Sequence, residues 1–262
     1  MDTLAPSHSA ARALQLTGST TMLPRMQRVA ELYMQRQLGR IVINGGCGSA
    51  RGYKALLDGT TDIAMASGAA PDDAIAAAQA RRLVWRSTVV TQDAIVPVVH
   101  AANPLARLSL LQLQNIYTGR IVNWRQVGGP DAPIEVLLGP PGGGVANGWR
   151  RCMLVGADTF TAQARVMAAP LRLARVGASP YAIAYVSRTA LPARRVKTLQ
   201  VDASAAAALR APMMLVTLGA AGAAAAAEAT AETTAAAGAA AAKFIAWTVQ
   251  SGALAWPGLP HE

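Results

Sequence analysis

Three short segments pair small or hydroxyl residues with the expected start of a helix: Gly18-Ser19-Thr20-Thr21, Gly48-Ser49-Ala50-Arg51-Gly52 and Gly142-Gly143-Gly144. A helix N-terminus presents backbone N–H groups with no partner inside the helix and roughly half a positive charge, and glycine lets an anion approach the backbone closely. Taken singly, each loop reads more readily as ordinary strand-to-helix turn chemistry, with Ser19 or Thr20 as a plain N-cap. Converging on one point, the three would form a cage for a small oxyanion. Other chemistries find little support. His8, His100 and His261 are scattered, with no Cys or carboxylate at metal-ligand spacing, so neither a metal nor a cofactor is expected. Cys47 and Cys152 lie outside any CxxC pattern and are expected to be packed thiols. No nucleophile-elbow motif supports a Ser/His/Asp triad, and Gly142 to Gly144 lacks the lysine of a P-loop, so an enzyme is not expected.

The elements that must position these loops follow from hydrophobic periodicity. Ala13 to Thr17 reads as a strand, and Leu23, Met26, Val29, Ala30, Tyr33 and Met34 fall at helical spacing behind it. A second strand, Arg40 to Asn44, runs into the glycine-rich loop and a helix carrying Tyr53 to Asp58. Asp62 to Ser67 is a short buried strand ending at Gly68, and Pro71-Asp72-Asp73 opens a helix running to Arg82, its acids favoured by the helix dipole. The β-branched stretch Thr88 to Val99, interrupted by Pro97, is expected as one strand or a pair crossing between lobes. Leu108 to Tyr117 reads as a short amphipathic helix, Ile134 to Leu138 as a strand, Ala146 to Leu154 as a helix, and Ala182 to Val186 and Met213 to Thr217 as strands. Gly219 to Gln250 is Ala-rich and expected as one or two helices docked through Phe244, Ile245, Trp247 and Val249. The alternation predicts an α/β architecture of mostly parallel strands covered by helices.

The chain has 262 residues, 52% of them hydrophobic, enough to bury a substantial core in one large domain or two lobes. Its 24 Lys and Arg against 14 Asp and Glu give a net charge of +10, a bias toward anionic partners. The arginines are dispersed, with no basic run or interleaved aromatic stripe, so no nucleic-acid groove is expected. Met1 to Ala10 shows no basic region followed by an apolar one, so no secretion signal is expected within it. The Ala-rich stretch Gly219 to Ala242 carries Glu228 and Glu232, and no membrane insertion is expected.

The run Gly18-Ser-Thr-Thr21 followed by Asn44-Gly-Gly-Cys-Gly-Ser-Ala-Arg-Gly-Tyr-Lys-Ala-Leu-Leu-Asp-Gly-Thr-Thr-Asp-Ile-Ala-Met-Ala-Ser67 resembles the N-terminal half of the phosphate-binding proteins of bacterial phosphate ABC importers. Asn103-Pro-Leu105, Leu110 to Trp124 and Ala182 to Ser187 resemble later segments of that family, in the same order. The resemblance implies a type II periplasmic-binding-protein fold, with two α/β lobes around a ligand cleft. It implies lobe 1 at 1–93 plus 189–262, lobe 2 at 94–188, and hinge crossings near 92–96 and 186–192. It also implies a monomer, periplasmic or extracellular, that captures phosphate or a related oxyanion for an ABC permease or sensor.

Carried over position by position, the ligand contacts implied by the resemblance fall on Ser19, Thr20 and Ser49 in the first lobe and on Gly143, Gly144 and Val145 in the second. The sequence departs from the family pattern at three places. Gly68 stands where the family has an Asp or Arg, Gly139 where it has an Arg, and Gly143-Gly144-Val145 where it has Ser-Gly-Thr. Arg51 is either the replacement cation or a solvent-facing side chain on a helix's first turn. These losses motivate a second expectation, a family member that acts as an interaction or regulatory module without binding phosphate. Tyr117 and Trp124 are expected as packing residues rather than ligand-stacking ones.

Overall fold

The computed structural model describes residues 12–191, 195–220 and 231–254. Its strands are β1 (Leu14–Gly18), β2 (Ile41–Gly46), β3 (Ile63–Ala66), β4 (Leu83–His100), β5 (Glu135–Leu138), β6 (Arg165–Val166), β7 (Ala182–Ser187), β8 (Val196–Thr198) and β9 (Arg210–Ala220). The helices are α1 (Leu23–Gln35), α2 (Ser49–Leu57), α3 (Asp72–Ala80), α4 (Leu110–Tyr117), α5 (Gly144–Met153), α6 (Ala169–Ala178), α7 (Ala203–Ala208) and α8 (Ala231–Gln250). The strands run β2-β1-β3-β9-β4-β7-β5-β6, with β8 pairing β4 off that path.

The fold is α/β, as the alternation predicts, and its sheet is mixed. β2, β1 and β3 are mutually parallel, as are β7, β5 and β6. β9 runs antiparallel to both β3 and β4, and β4 runs antiparallel to β7 and β8. Periodicity showed that these segments were strands, but direction is set by how the chain returns between halves. β4 is one continuous strand of 18 residues. Leu83 to Ala94 pairs with β9 and Ile95 to Val99 pairs with β7, with a register shift between Val89 and Thr91. Pro97 does not break it. Proline lacks only the N–H, and its carbonyl still accepts from Leu199 N–H at 3.0 Å.

Cores form on either side of this crossing. One gathers Leu16, Met26, Val29, Ile63, Met65 and Phe244, with Tyr33 meeting Phe244 edge-on at 5.0 Å between ring centroids. The Ala-rich α8 docks through Phe244 and Ile245 with Trp247 packed beside them; Val249, expected among these contacts, is exposed. The N-terminal part of that Ala-rich stretch, 221–230, lies outside the described residues. The other main core contains Ile116, Tyr117, Trp124, Trp149, Met153 and Tyr185. It also draws in Leu199, Leu209 and Ala211 from the chain after β7. Tyr117 and Trp124 are packing residues, as expected, and the Trp124 indole donates to Tyr181 O at 2.9 Å. Cys152 is buried, whereas Cys47 is exposed, correcting its expectation as a packed thiol. No described helix is long and apolar enough to cross a membrane.

Trp149 and Tyr185 stack at 4.6 Å and 11°, and both are almost wholly buried. Trp149→Ala removes that stack and leaves a cavity. It should lower unfolding free energy by about 3–5 kcal/mol, read from urea denaturation midpoints.

Candidate functional site

The first cleft wall is built where β1, β2 and β3 end side by side. Gly18 has φ +133°, and a Cβ there would overlap Met65 O and stand 3.0 Å from Met65 N, so only glycine lets the chain leave β1 this close to β3. Ser19 follows directly, its N–H donating to Met65 O at 2.7 Å. Ser49 opens α2 after Gly48, whose N–H donates to Gly18 O at 2.8 Å. Ser67 is the residue immediately beyond β3.

These backbone constraints bring three buried hydroxyls together. Ser19 Oγ donates to Ser67 Oγ at 3.1 Å, and Ser49 Oγ lies 3.3 Å from Ser67 Oγ. The Ser67 N–H donates to Ser49 Oγ at 3.1 Å. The three serines are 2%, 3% and 4% exposed. Among the described residues, no carboxylate takes part in this network. Behind it, the Tyr53 hydroxyl donates to Gly68 O at 2.9 Å, and burial pushes its pKa up to about 12, so it remains a neutral donor across physiological pH.

The opposing wall is the loop from Gly139 to Gly143 and the N-terminus of α5. The two walls touch. Ala50 N–H donates to Gly142 O at 3.3 Å. A Cβ added at Gly144 would overlap Ser67 Oγ and stand 2.6 Å from Ser67 C and O. A Cβ at Gly68 would lie 3.4 Å from Gly144 Cα. The glycines of the second loop therefore allow the first turn of α5 to close over the serine cluster. That turn has N–H groups with no acceptor within its helix.

The structure distributes the expected site residues unevenly. Ser19 and Ser49 join in one cluster, and Gly68, Gly143 and Gly144 lie at the meeting of the walls. Thr20 is exposed, and its hydroxyl donates to Gly46 O at 3.1 Å rather than joining the serines. The Val145 side chain packs into the second core, which leaves only its backbone on the helix end. Arg51 is exposed on the first turn of α2 and forms no ion pair among the described residues. Ser67 was missed, although it ends a strand in the same way that Ser19 does. A groove of about 1110 Å3 lies elsewhere, lined by Thr217, Leu218, Ala241 and Ile245 among others. It has no comparable convergence of buried hydroxyls. Among the described residues, no group of three or more His, Cys, Asp or Glu could hold a metal ion.

Comparison with known proteins places this fold in a known superfamily. The PBP superfamily domain matches residues 5–249, and the chain belongs to that superfamily. Among curated relatives, the protein SphX of Synechococcus elongatus is 31% identical over 135 residues, covering 49% of this chain and 40% of that protein. The phosphate-binding protein PstS of Bacillus subtilis is 24% identical over 204 residues, covering 77% of this chain and 65% of that protein. The chain thus spans less than two thirds of the length of either relative. A solved structure described as a phosphate ABC transporter substrate-binding protein with bound phosphate, from Clostridium perfringens, superposes with a TM-score of 0.72 at 24% identity. That match covers 89% of this chain and 93% of that one.

Gly144→Val places a branched side chain against Ser67 and should hold the walls apart. In solution scattering, the variant should show a larger radius of gyration than the parent, and an unchanged radius would mean that the walls tolerate the branched side chain.

Proposed function

We propose that this chain is a non-catalytic solute-binding protein. It captures phosphate, or a closely related small oxyanion, between its two lobes and presents it to an ABC permease or sensor. The observation that carries this reading is the cluster of buried serines set against the N-terminus of α5. Hydroxyl and backbone N–H donors, with the positive end of a helix dipole, suit an oxyanion and little else. The net charge of +10 favours anion approach, and relatives named for phosphate binding support the choice of anion. The mature protein acts outside the cytoplasm, as a monomer.

The lobes divide along β4 and β9. The first holds the core around Leu16 and Met65, and the second the core around Trp149 and Tyr185. An outward crossing in β4 near 92–96 is supported by the change of its pairing partner from β9 to β7 there. The packing of Leu199, Leu209 and Ala211 into the second core favours a return crossing in β9 near residues 211–213, later than the 186–192 implied by the resemblance. At the outward crossing, the buried Asp93 carboxylate accepts from the Ser187 hydroxyl and from Thr189 at 2.9 Å, fastening β4 to the end of β7.

Titration calorimetry of the refolded, dialysed protein against inorganic phosphate tests the reading. Saturable binding with one phosphate per chain is expected. Ser49→Leu should abolish it by filling the cluster, and Ser49→Ala should weaken it about 5-fold, the loss of one neutral hydrogen bond worth about 1 kcal/mol. Silence toward phosphate, sulfate, molybdate and phosphonates would overturn the proposal in favour of an interaction module that has lost the ligand.

Among the described residues, no carboxylate joins the serine cluster to accept a proton from the ligand and to repel a fully ionised one. Sulfate should therefore compete with phosphate within about 10-fold at neutral pH, read by displacement titration.

A further inference from the structure

Arg172, in the first half of α6, is 4% exposed. Its Nη1 donates to Met167 O and its Nη2 to Tyr185 O, both at 3.1 Å, and its guanidinium carbon lies 4.8 Å from the Tyr185 ring centroid. Its Nε is buried with no hydrogen-bond partner, and no carboxylate pairs with it among the described residues. Arginine cannot shed its proton in a protein, so burial leaves a full positive charge that, among the described residues, is answered by two carbonyls and an aromatic face. Unpaired burial of a charge is costly and calls for an anion close by.

The position of the guanidinium indicates where that anion would lie. A Cβ added at Gly139 would overlap Arg172 Nη1 and lie 3.2 Å from both Arg172 Cζ and Tyr185 Oη. Arg172 thus fills the space that a side chain at 139 would need. Gly139 is the first residue after β5 and starts the loop whose far end places Gly142 against Ala50 and Gly144 against Ser67. Tyr185 holds the base of that loop by accepting from Gly139 N–H at 3.0 Å. The charge therefore sits at the root of the cleft's second wall, on the lobe whose helix end faces the serines. Burial also lowers the Arg172 pKa from its ordinary value, the direction expected for a cation short of counter-charge.

We propose that Arg172 is the cation of the anion site. It enters from α6 through the notch left by Gly139, and an oxyanion seated on the N-terminus of α5 is its counter-ion. This rests on the oxyanion-binding reading above and adds a residue that the strand-end loops do not contain. Arg51, the replacement cation suggested by the sequence, is then dispensable.

Calorimetry with inorganic phosphate on the full chain tests this, alongside circular dichroism and thermal melting of each variant. Arg172→Met, close in length and uncharged, should weaken phosphate binding at least about 100-fold while its melting temperature holds or rises, because a desolvated charge has been removed. Loss of melting temperature with affinity within 3-fold of the parent would instead mark Arg172 as structural and overturn the proposal. Should Arg172→Met not fold, Gly139→Ala serves, since its methyl displaces the guanidinium with Arg172 still present; it should weaken binding at least 10-fold, and unchanged affinity would refute the assignment. The double variant Gly139→Arg with Arg172→Leu moves the cation to the loop and should recover binding relative to Arg172→Met. Arg51→Ala should change affinity less than about 3-fold, and a loss as large as that of Arg172→Met would contradict the proposal. Failure of the parent chain to bind any oxyanion would remove both this assignment and the functional reading, whereas tight binding unaffected by the Arg172 and Gly139 variants would remove this assignment alone.

Discussion

The contact on which the rest depends is the one between Ser67 and Gly144. Ser67 directly follows β3, gathers the hydroxyls of Ser19 and Ser49, and meets the first turn of α5 from the opposite wall. There is no room between them for even a methyl group. This single approach demands glycine at 144 and places the unsatisfied N–H groups of α5 over a floor of neutral donors. A site assembled this way combines helix N-terminal N–H groups with hydroxyls that can turn to donate, and no carboxylate among the described residues joins them, which suits an anion.

The sheet makes that approach reproducible. Because β4 pairs with β9 through its first half and with β7 through its second, one strand spans both cores and ties the two walls to a common backbone. The Asp93, Ser187 and Thr189 hydrogen bonds fasten the point of crossing. Each wall is held from behind by buried aromatics, with Tyr53 bonded to Gly68 O on one side and Tyr185 to Gly139 N–H on the other. The loops can then stay rich in glycine without losing position, since their conformation is imposed from outside.

Much of this was legible from residue types. Periodicity located the elements, because burial repeats every second residue in strands such as Leu14-Gln15-Leu16 and at helical spacing in α1. The oxyanion logic of Ser19 and Ser49 was visible from glycine and hydroxyl residues at strand ends. Strand direction was not legible, since β9 carries the same apolar composition whichever way it runs. Nor was the fate of side chains beside the site. Thr20 bonds to backbone, and Val145 turns into the core because the far side of α5 needs an apolar surface. Ser67 escaped notice because a serine ending an apolar strand resembles any strand cap. Arg172 escaped because its meaning lies in the space left by Gly139, 33 residues earlier, a relation that only packing reveals.

The most direct measurement of the central claim is a titration of the isotopically labelled, backbone-assigned protein with inorganic phosphate, followed by amide nuclear magnetic resonance. The account predicts saturable shifts, at a common midpoint, of the amides of Ser49 and Arg51 at the start of α2, Ser67 at the end of β3, and Val145 and Ala146 at the start of α5. Shifts confined to exposed basic residues such as Arg36 and Arg81, or the absence of saturation, would contradict it.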